Sequence, residues 1–160
     1  MKKLLTILLA LVLVFSLAAC GGDTASQGSD KAESSTVADN TLGDYSVDIK
    51  SCRLAEDYEG KPIVIITYGF TNNGESAAAF YTSVTAEAYQ GGIGLNECYF
   101  AEDSAKYISD NQSKEIKTGA TLDVEVAYVL NDTTTDVEIE VSEWISFSDK
   151  KLTKTFTIAQ

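Results

Sequence analysis

The chain carries three thiols and no histidine, and that pairing of facts limits the chemistry available to it. Without an imidazole there is no Ser-His-Asp or Cys-His catalysis, no common zinc site and no general base with a side-chain pKa near 7. Neither a phosphate-cradling glycine loop nor a Gly-x-Ser-x-Gly elbow is present. Carboxylate pairs can hydrolyse glycosides, but the acids here fall on alternating positions of extended segments and in turns, where solvated surface is the simpler reading. The sequence therefore reads as a non-enzyme that implies no cofactor. The cysteines remain, and they divide into Cys20 on one side and Cys52 with Cys98 on the other.

Cys20 ends the run Leu17-Ala18-Ala19-Cys20, which comes after a basic start, Met1-Lys2-Lys3, and an apolar stretch from Leu4 to Ala19. A basic n-region, an apolar h-region and small residues before the cleavage point are the grammar of a secretory signal. A spanning helix fits less well, because the stretch gives way to Gly21-Gly22 with no basic flank and falls short of the roughly 20 apolar residues a bilayer core requires. The run resembles a bacterial lipobox. The resemblance implies a diacylglyceryl group on the Cys20 thiol, cleavage before it, and a membrane partner reached through that lipid anchor on the extracytoplasmic face. Two acyl chains hold stably where one is marginal.

The formal charge of the chain is −12, and removing Lys2 and Lys3 with a signal peptide takes it to −14. A balance of this sign excludes nucleic acid as a partner, since phosphate recognition needs a basic footprint. It equally disfavours teichoic acids and anionic headgroups, and leaves an envelope protein or a small ligand as possible partners. Residues 1–19 form the expected signal peptide and residues 20–41 the lipidated cysteine and linker. Between Gly21 and Thr41 the only large apolar side chain is Val37, too little apolar surface to order a segment. A tether of roughly 21 residues places the domain beyond it on the order of 25 Å from the lipid.

Residues 42–160 are long enough for one β-sandwich, and their periodicity is two throughout. Val47 and Ile49 alternate with polar neighbours in a strand expected over 45–54. Pro62 opens Ile63-Val64-Ile65-Ile66-Thr67-Tyr68-Gly69-Phe70-Thr71, apolar on both parities as a central strand covered on both faces requires. Val84 to Gln90 and Ile93 to Phe100 flank Gly91-Gly92, the chemistry of a two-residue hairpin turn with Gln90 facing Ile93. After Gly119, the residues Leu122, Val124, Val126, Tyr128 and Leu130 share one parity and Asp123 and Glu125 the other, so the two acids are expected in solvent. Val137, Ile139 and Val141 come next, then Leu152, Phe156 and Ile158. About seven strands in an all-β antiparallel sandwich result.

The wording of these segments carries a resemblance. Ile49-Lys50-Ser51, Asp57-Tyr58-Glu59-Gly60-Lys61-Pro62, Tyr68-Gly69-Phe70-Thr71-Asn72-Asn73 and Ile116-Lys117-Thr118-Gly119-Ala120 before Tyr128-Val129-Leu130 resemble the immunoglobulin-like lipoprotein domains of unknown function from Gram-positive bacteria. More distantly they are similar to mycobacterial immunoprotective secreted antigens. The resemblance implies an immunoglobulin-like sandwich with no assigned catalytic residue. Its expected role is a lipid-anchored binding or scaffolding module of the cell envelope, with an accessory solute-binding lipoprotein of a transport system, or a passive surface-structural protein, as the alternatives.

Export permits a disulfide between Cys52 and Cys98, and a bridge closing so long a loop stabilises by about 4 kcal/mol in the chain-entropy model. Two buried reduced thiols are the alternative. Trp144 falls on the parity of Glu138 and Glu140, outside, as a candidate anchor for a ligand; a bulge near Ser142-Glu143 would instead return the ring to the core. Tyr58 and Tyr89 are further candidate contacts, and Tyr81 and Tyr107 share their position near loops and hairpin ends. Glu102, Asp103 and Asp110, or Asn131, Asp132 and Asp136, gather acids without matching an EF-hand spacing, so no metal site is expected.

Overall fold

The computed structural model describes residues 39–101 and 103–158; Cys20 and the signal and most of the linker assigned around it lie outside the described residues. Two four-stranded antiparallel sheets face each other. The first has the order β1 (Thr41–Leu42), β2 (Tyr45–Glu56), β3 (Pro62–Asn72), β6 (Thr121–Val129), and the second β5 (Ile93–Gly94), β4 (Val84–Gln90), β7 (Val137–Glu143), β8 (Lys151–Phe156). A single helical turn, α1 (Phe80–Ser83), leads into β4, and two 3₁₀ turns occupy Asp103–Ala105 and Ser109–Ser113. The all-β sandwich expected from the alternation is the architecture found.

The core obeys the parities. Val64, Ile66, Tyr68 and Phe70 of β3 and Val124, Val126 and Tyr128 of β6 meet Val84, Ala88, Val137, Ile139 and Val141 from the opposite sheet. The other parity of β3 is also covered: Ile63 and Ile65 pack with Ala127 and Cys98 in a second cluster, which Ala101, Ala105 and Tyr107 close from outside. A strand apolar on both faces thus has two layers over it. α1 is held by Phe80, whose ring stands edge-on to Phe70 at 5.7 Å between centroids and tilted on Tyr68 at 5.3 Å, pairings worth about 0.5–1.5 kcal/mol each beyond their buried area.

The Gly91-Gly92 turn pairs Gln90 with Ile93, and both glycines have positive φ, 57° and 78°, as the mirror-image turn demands. The strand after it is short. β5 ends at Gly94, and the expected extension to Phe100 is replaced by a crossing segment whose Asn96 and Cys98 bond to the free edge of β6 through Val129 N–H to Asn96 O at 2.9 Å and Cys98 N–H to Ala127 O at 2.8 Å. Asp123 is exposed, whereas Glu125 departs from the expected solvent position. Its carboxylate, only 16% exposed, pairs with Arg53 at 2.9 Å and accepts the Ile108 N–H at 3.0 Å. The Ser109–Ser113 turn lies over that strand edge, and Glu125 ties it down.

Cys52 and Cys98 are free thiols, which corrects the expected disulfide. A bulge at Lys50 separates the pairs Ile49↔Tyr68 and Ser51↔Thr67 and flips the parity of β2, so Cys52, opposite Ile66, packs toward the inter-sheet core. Cys98 sits in the cluster on the other face of the same sheet, its thiol directed to the Phe100 carbonyl at 3.3 Å. A sheet backbone stands between the two sulfurs. The bulge carbonyls do not go unpaired: Lys154 of β8 donates to Ile49 O at 2.6 Å and Lys50 O at 3.0 Å, joining the two sheets.

Candidate functional site

Where β4 and β6 approach from opposite sheets, the sandwich opens into a cleft of about 440 Å³, within the range of small-ligand sites. Its floor is core: Phe80, Val84 and Val126. Its rim is aromatic, with Tyr81 from α1, Tyr99 from the crossing segment and Trp144 just past β7, all largely exposed. Ser109, Gln112 and Ser113 supply hydroxyl and amide groups on one side, and among the described residues Glu97 is the only charged one in the lining.

Each wall has a local cause. The β4–β7 register runs without interruption from Val84↔Glu143 to Gln90↔Val137, and the Trp144 N–H extends it by donating to Ser83 O at 3.0 Å. No bulge returns the ring inward, so the alternation that places Trp144 outside holds and the core-directed alternative is corrected. Ala88 O accepts from Leu95 N–H at 2.8 Å, which turns the main-chain groups of Ala88, and by period two those of Ala86 and Val84, away from β7 and toward the opening. The Ala86 carbonyl takes the Tyr128 hydroxyl at 3.1 Å. The 3₁₀ wall is fixed by Gln112, whose amide donates to Glu125 O at 2.8 Å and to the Tyr107 hydroxyl at 3.0 Å, and by Asn111, which donates to Asp123 O at 2.9 Å. These amides cap the β6 edge.

The electrostatics are one-sided. Glu97 raises the Tyr99 phenol pKa above its ordinary value by hydrogen bonding and by charge, and no basic side chain among the described residues lines the cleft. Deeper in the core, burial raises the phenols of Tyr68 and Tyr128, and the Tyr68 hydroxyl has no hydrogen-bond partner among the described residues. Aromatic rims bind sugar faces, apolar groups and cations, and a lone carboxylate disfavours anions.

Of the three candidate binding residues, only Trp144 lies in this cleft. Tyr58 is exposed in the β2–β3 turn, and Tyr89, half-buried on β4, borders a separate cavity of about 150 Å³ beside Gly94. Of the other two aromatic rim residues, Tyr81 is among the loop tyrosines noted in the sequence, with nothing there to separate it from Tyr58, Tyr89 and Tyr107, and Tyr99 carries no signal because its segment reads as strand. Among the described residues no group of three or more Cys, Asp or Glu is arranged to hold a metal. Asp132 turns inward to its own loop, accepting the N–H groups of Thr134 and Thr135 at 2.8 and 2.7 Å, and Asp103 and Asp110 sit on separate 3₁₀ turns.

The family described as "Domain of unknown function (DUF5067)" matches residues 22–143. Among solved structures, the fold is similar to a candidate lipoprotein from Staphylococcus aureus subsp. aureus NCTC 8325, with TM-score 0.56 and 16% identity over 72% of this chain and 84% of that one. It is also similar to a protein from Enterococcus faecalis solved by NMR, with TM-score 0.55 and 17% identity over 74% of this chain and 88% of that one. No curated protein matches.

Proposed function

The chain belongs to the DUF5067 family, and on that premise we propose a lipid-anchored binding module of the bacterial cell envelope, held at the extracytoplasmic face of the membrane through Cys20. The observation that carries the reading is the set of exposed aromatic side chains, Tyr81, Tyr99 and Trp144, around an apolar-floored cleft. Exposed aromatics that converge on a concavity cost solvation without adding to the core, and binding sites are where such groups recur. Glu97 restricts the ligand to neutral or cationic chemistry. The reading is of a domain that binds: aromatic and hydroxyl groups converge on the cleft around Glu97, the single carboxylate lining it among the described residues. An immunoglobulin-like topology is supported by the strand order: β2-β3-β6 against β5-β4-β7-β8 corresponds to A-B-E against C′-C-F-G.

The only tryptophan of the chain is in the cleft, so intrinsic fluorescence reads occupancy directly. Titration with neutral oligosaccharides, quaternary ammonium compounds, short peptides and polyanions should give a saturable change for a neutral or cationic class and none for the polyanions. Tyr99→Ala should weaken it at least tenfold. A response from polyanions alone, or one untouched by Tyr81→Ala and Tyr99→Ala together, refutes the site. For the anchor, Cys20→Ala should release the protein from membranes or leave it uncleaved; a processed Ala variant still in the membrane fraction refutes it.

A second reading, an accessory solute-binding lipoprotein beside a transporter, is favoured by the cleft's place between the sheets and its tyrosines. Native mass spectrometry of the purified protein separates the two: a retained small solute selects this reading.

A further inference from the structure

The β7–β8 connection carries Trp144, Ile145 and Phe147, which are 59%, 74% and 107% exposed. An apolar loop this open is unusual on a soluble surface and marks a contact. Residues 144–148 contain no charge. The loop's backbone is held from within, since Ser148 N–H donates to Ser146 Oγ and Lys150 N–H to Ser148 Oγ, both at 3.0 Å. Apolar side chains thus project from a turn that satisfies part of its own main chain, as entry into a water-poor medium requires.

Something else in the fold states what lies opposite. Lys150 pairs with Asp39 at 2.7 Å, and Asp39 is the first described residue. The described chain therefore begins beside this loop, at the residue that continues in sequence back toward Cys20. We infer that the β7–β8 tip docks into the headgroup–hydrocarbon interface of the membrane that carries the protein's own lipid, with Phe147 and Ile145 inserted and Trp144 at the boundary. The inference rests on the anchor proposed above. A tether on the order of 25 Å keeps the tip at high effective concentration over the bilayer, so a contact too weak to recruit a free protein suffices for a tethered one. Tryptophan and phenylalanine are favoured side chains at that interface. Lys150 and Lys151 are already paired, with Asp39 and Glu140, so docking depends on apolar insertion and not on anionic lipid.

The test uses the full lipidated chain, its acyl group verified by mass spectrometry, in vesicles of phosphatidylcholine and of phosphatidylcholine with phosphatidylglycerol, each with and without brominated acyl chains. Trp144 fluorescence should be quenched by shallow bromines at least twofold, equally in both compositions. Ile145→Ser with Phe147→Ser should abolish quenching while the protein still floats with the vesicles. Verified acylation and flotation without quenching overturns the docking and leaves the anchor standing; a processed chain with no acyl group overturns the anchor and the docking with it. Quenching confined to phosphatidylglycerol vesicles overturns the apolar mechanism. If Trp144 stays unquenched and Phe147→Ser converts a dimer to a monomer in detergent, the tip is a self-association surface and the docking is overturned.

Discussion

Asn72 ends β3 and Asn73 follows it, and the two should respond to truncation very differently. Asn72 is fully buried. Its Nδ2 donates to Ser76 O at 2.7 Å and Ile116 O at 2.9 Å, and its Oδ1 accepts Gly74 N–H at 2.9 Å. One side chain thereby ties the strand to the next turn and to the segment that leads into β6. Asn72→Ala removes all three bonds, each worth about 1 kcal/mol net, and leaves the Gly74 N–H and the Ser76 carbonyl with desolvation costs that water entry relieves in part, while Ile116 O keeps the Ala78 N–H at 3.0 Å. We expect a loss of about 3 kcal/mol, or on the order of 10 °C in Tm for a domain of this size. Asn73 makes one exposed side-chain bond, to Ser46 Oγ at 2.9 Å, and Asn73→Ala should cost less than about 1 kcal/mol. Urea and thermal melts of the detergent-solubilised chain compare the pair, with an unchanged m-value as the check that the end states are the same. Equal losses within about 0.5 kcal/mol would refute the assignment of the Asn-Asn pair to one structural and one surface role.

The thiols and the β6–β7 turn give two further outcomes. Thiol labelling without reductant should find Cys52 and Cys98 both reactive in denaturant; in the folded chain Cys98 should be protected and Cys52 slow, because burial raises its thiol pKa. A denatured, unreduced chain with neither thiol reactive would restore the disulfide. Asp132, whose carboxylate accepts the N–H groups and hydroxyls of Thr134 and Thr135, has its pKa lowered from 3.8 to about 2. A folded pKa below the unfolded one stabilises above the unfolded value and is lost as pH falls through the folded one. The stability gap between the native chain and Asp132→Ala should therefore be constant above pH ~4 and close toward pH ~2; a gap unchanged across that range refutes the capping role.

Much of the fold is legible because burial in a sheet is written at period two. The parities of Val137, Ile139 and Val141, and of Val124, Val126 and Tyr128, are the parities found in the core, and the double-apolar run of β3 announces that both its faces are covered. The features that elude the sequence depend on a partner far along the chain. The segment from Ile93 reads as strand to Phe100 because it alternates, yet of this segment only Ile93 and Gly94 pair in register with β4, and past Leu95 the chain crosses to the β6 edge. That alternation hides Tyr99. Gln112 and Asn111, in a stretch that reads as irregular, are polar because their amides must bond carbonyls of that edge. Glu125 looks like solvent surface for the same reason: nothing local says that a backbone N–H 17 residues earlier donates to it.

The two cysteines show the physical limit most directly. Compartment and pairing number argue for a bridge, and those arguments concern what chemistry is permitted. Geometry decides against it through one residue, Lys50, the extra residue of a bulge. Without the bulge, strict alternation from Val47 and Ile49 would turn Cys52 to the outer face of the sheet, the face where Cys98 packs. With it, Cys52 turns to the inner one. A single inserted residue reverses every later side chain of a strand. Lys50 lies between Ile49 and Ser51 in a run that alternates up to it, and nothing local marks where the reversal occurs. The cue is non-local: Lys154, 104 residues away, donates to the carbonyl of Lys50, so the position of the bulge is specified by the opposite sheet and only the assembled sandwich can reveal it.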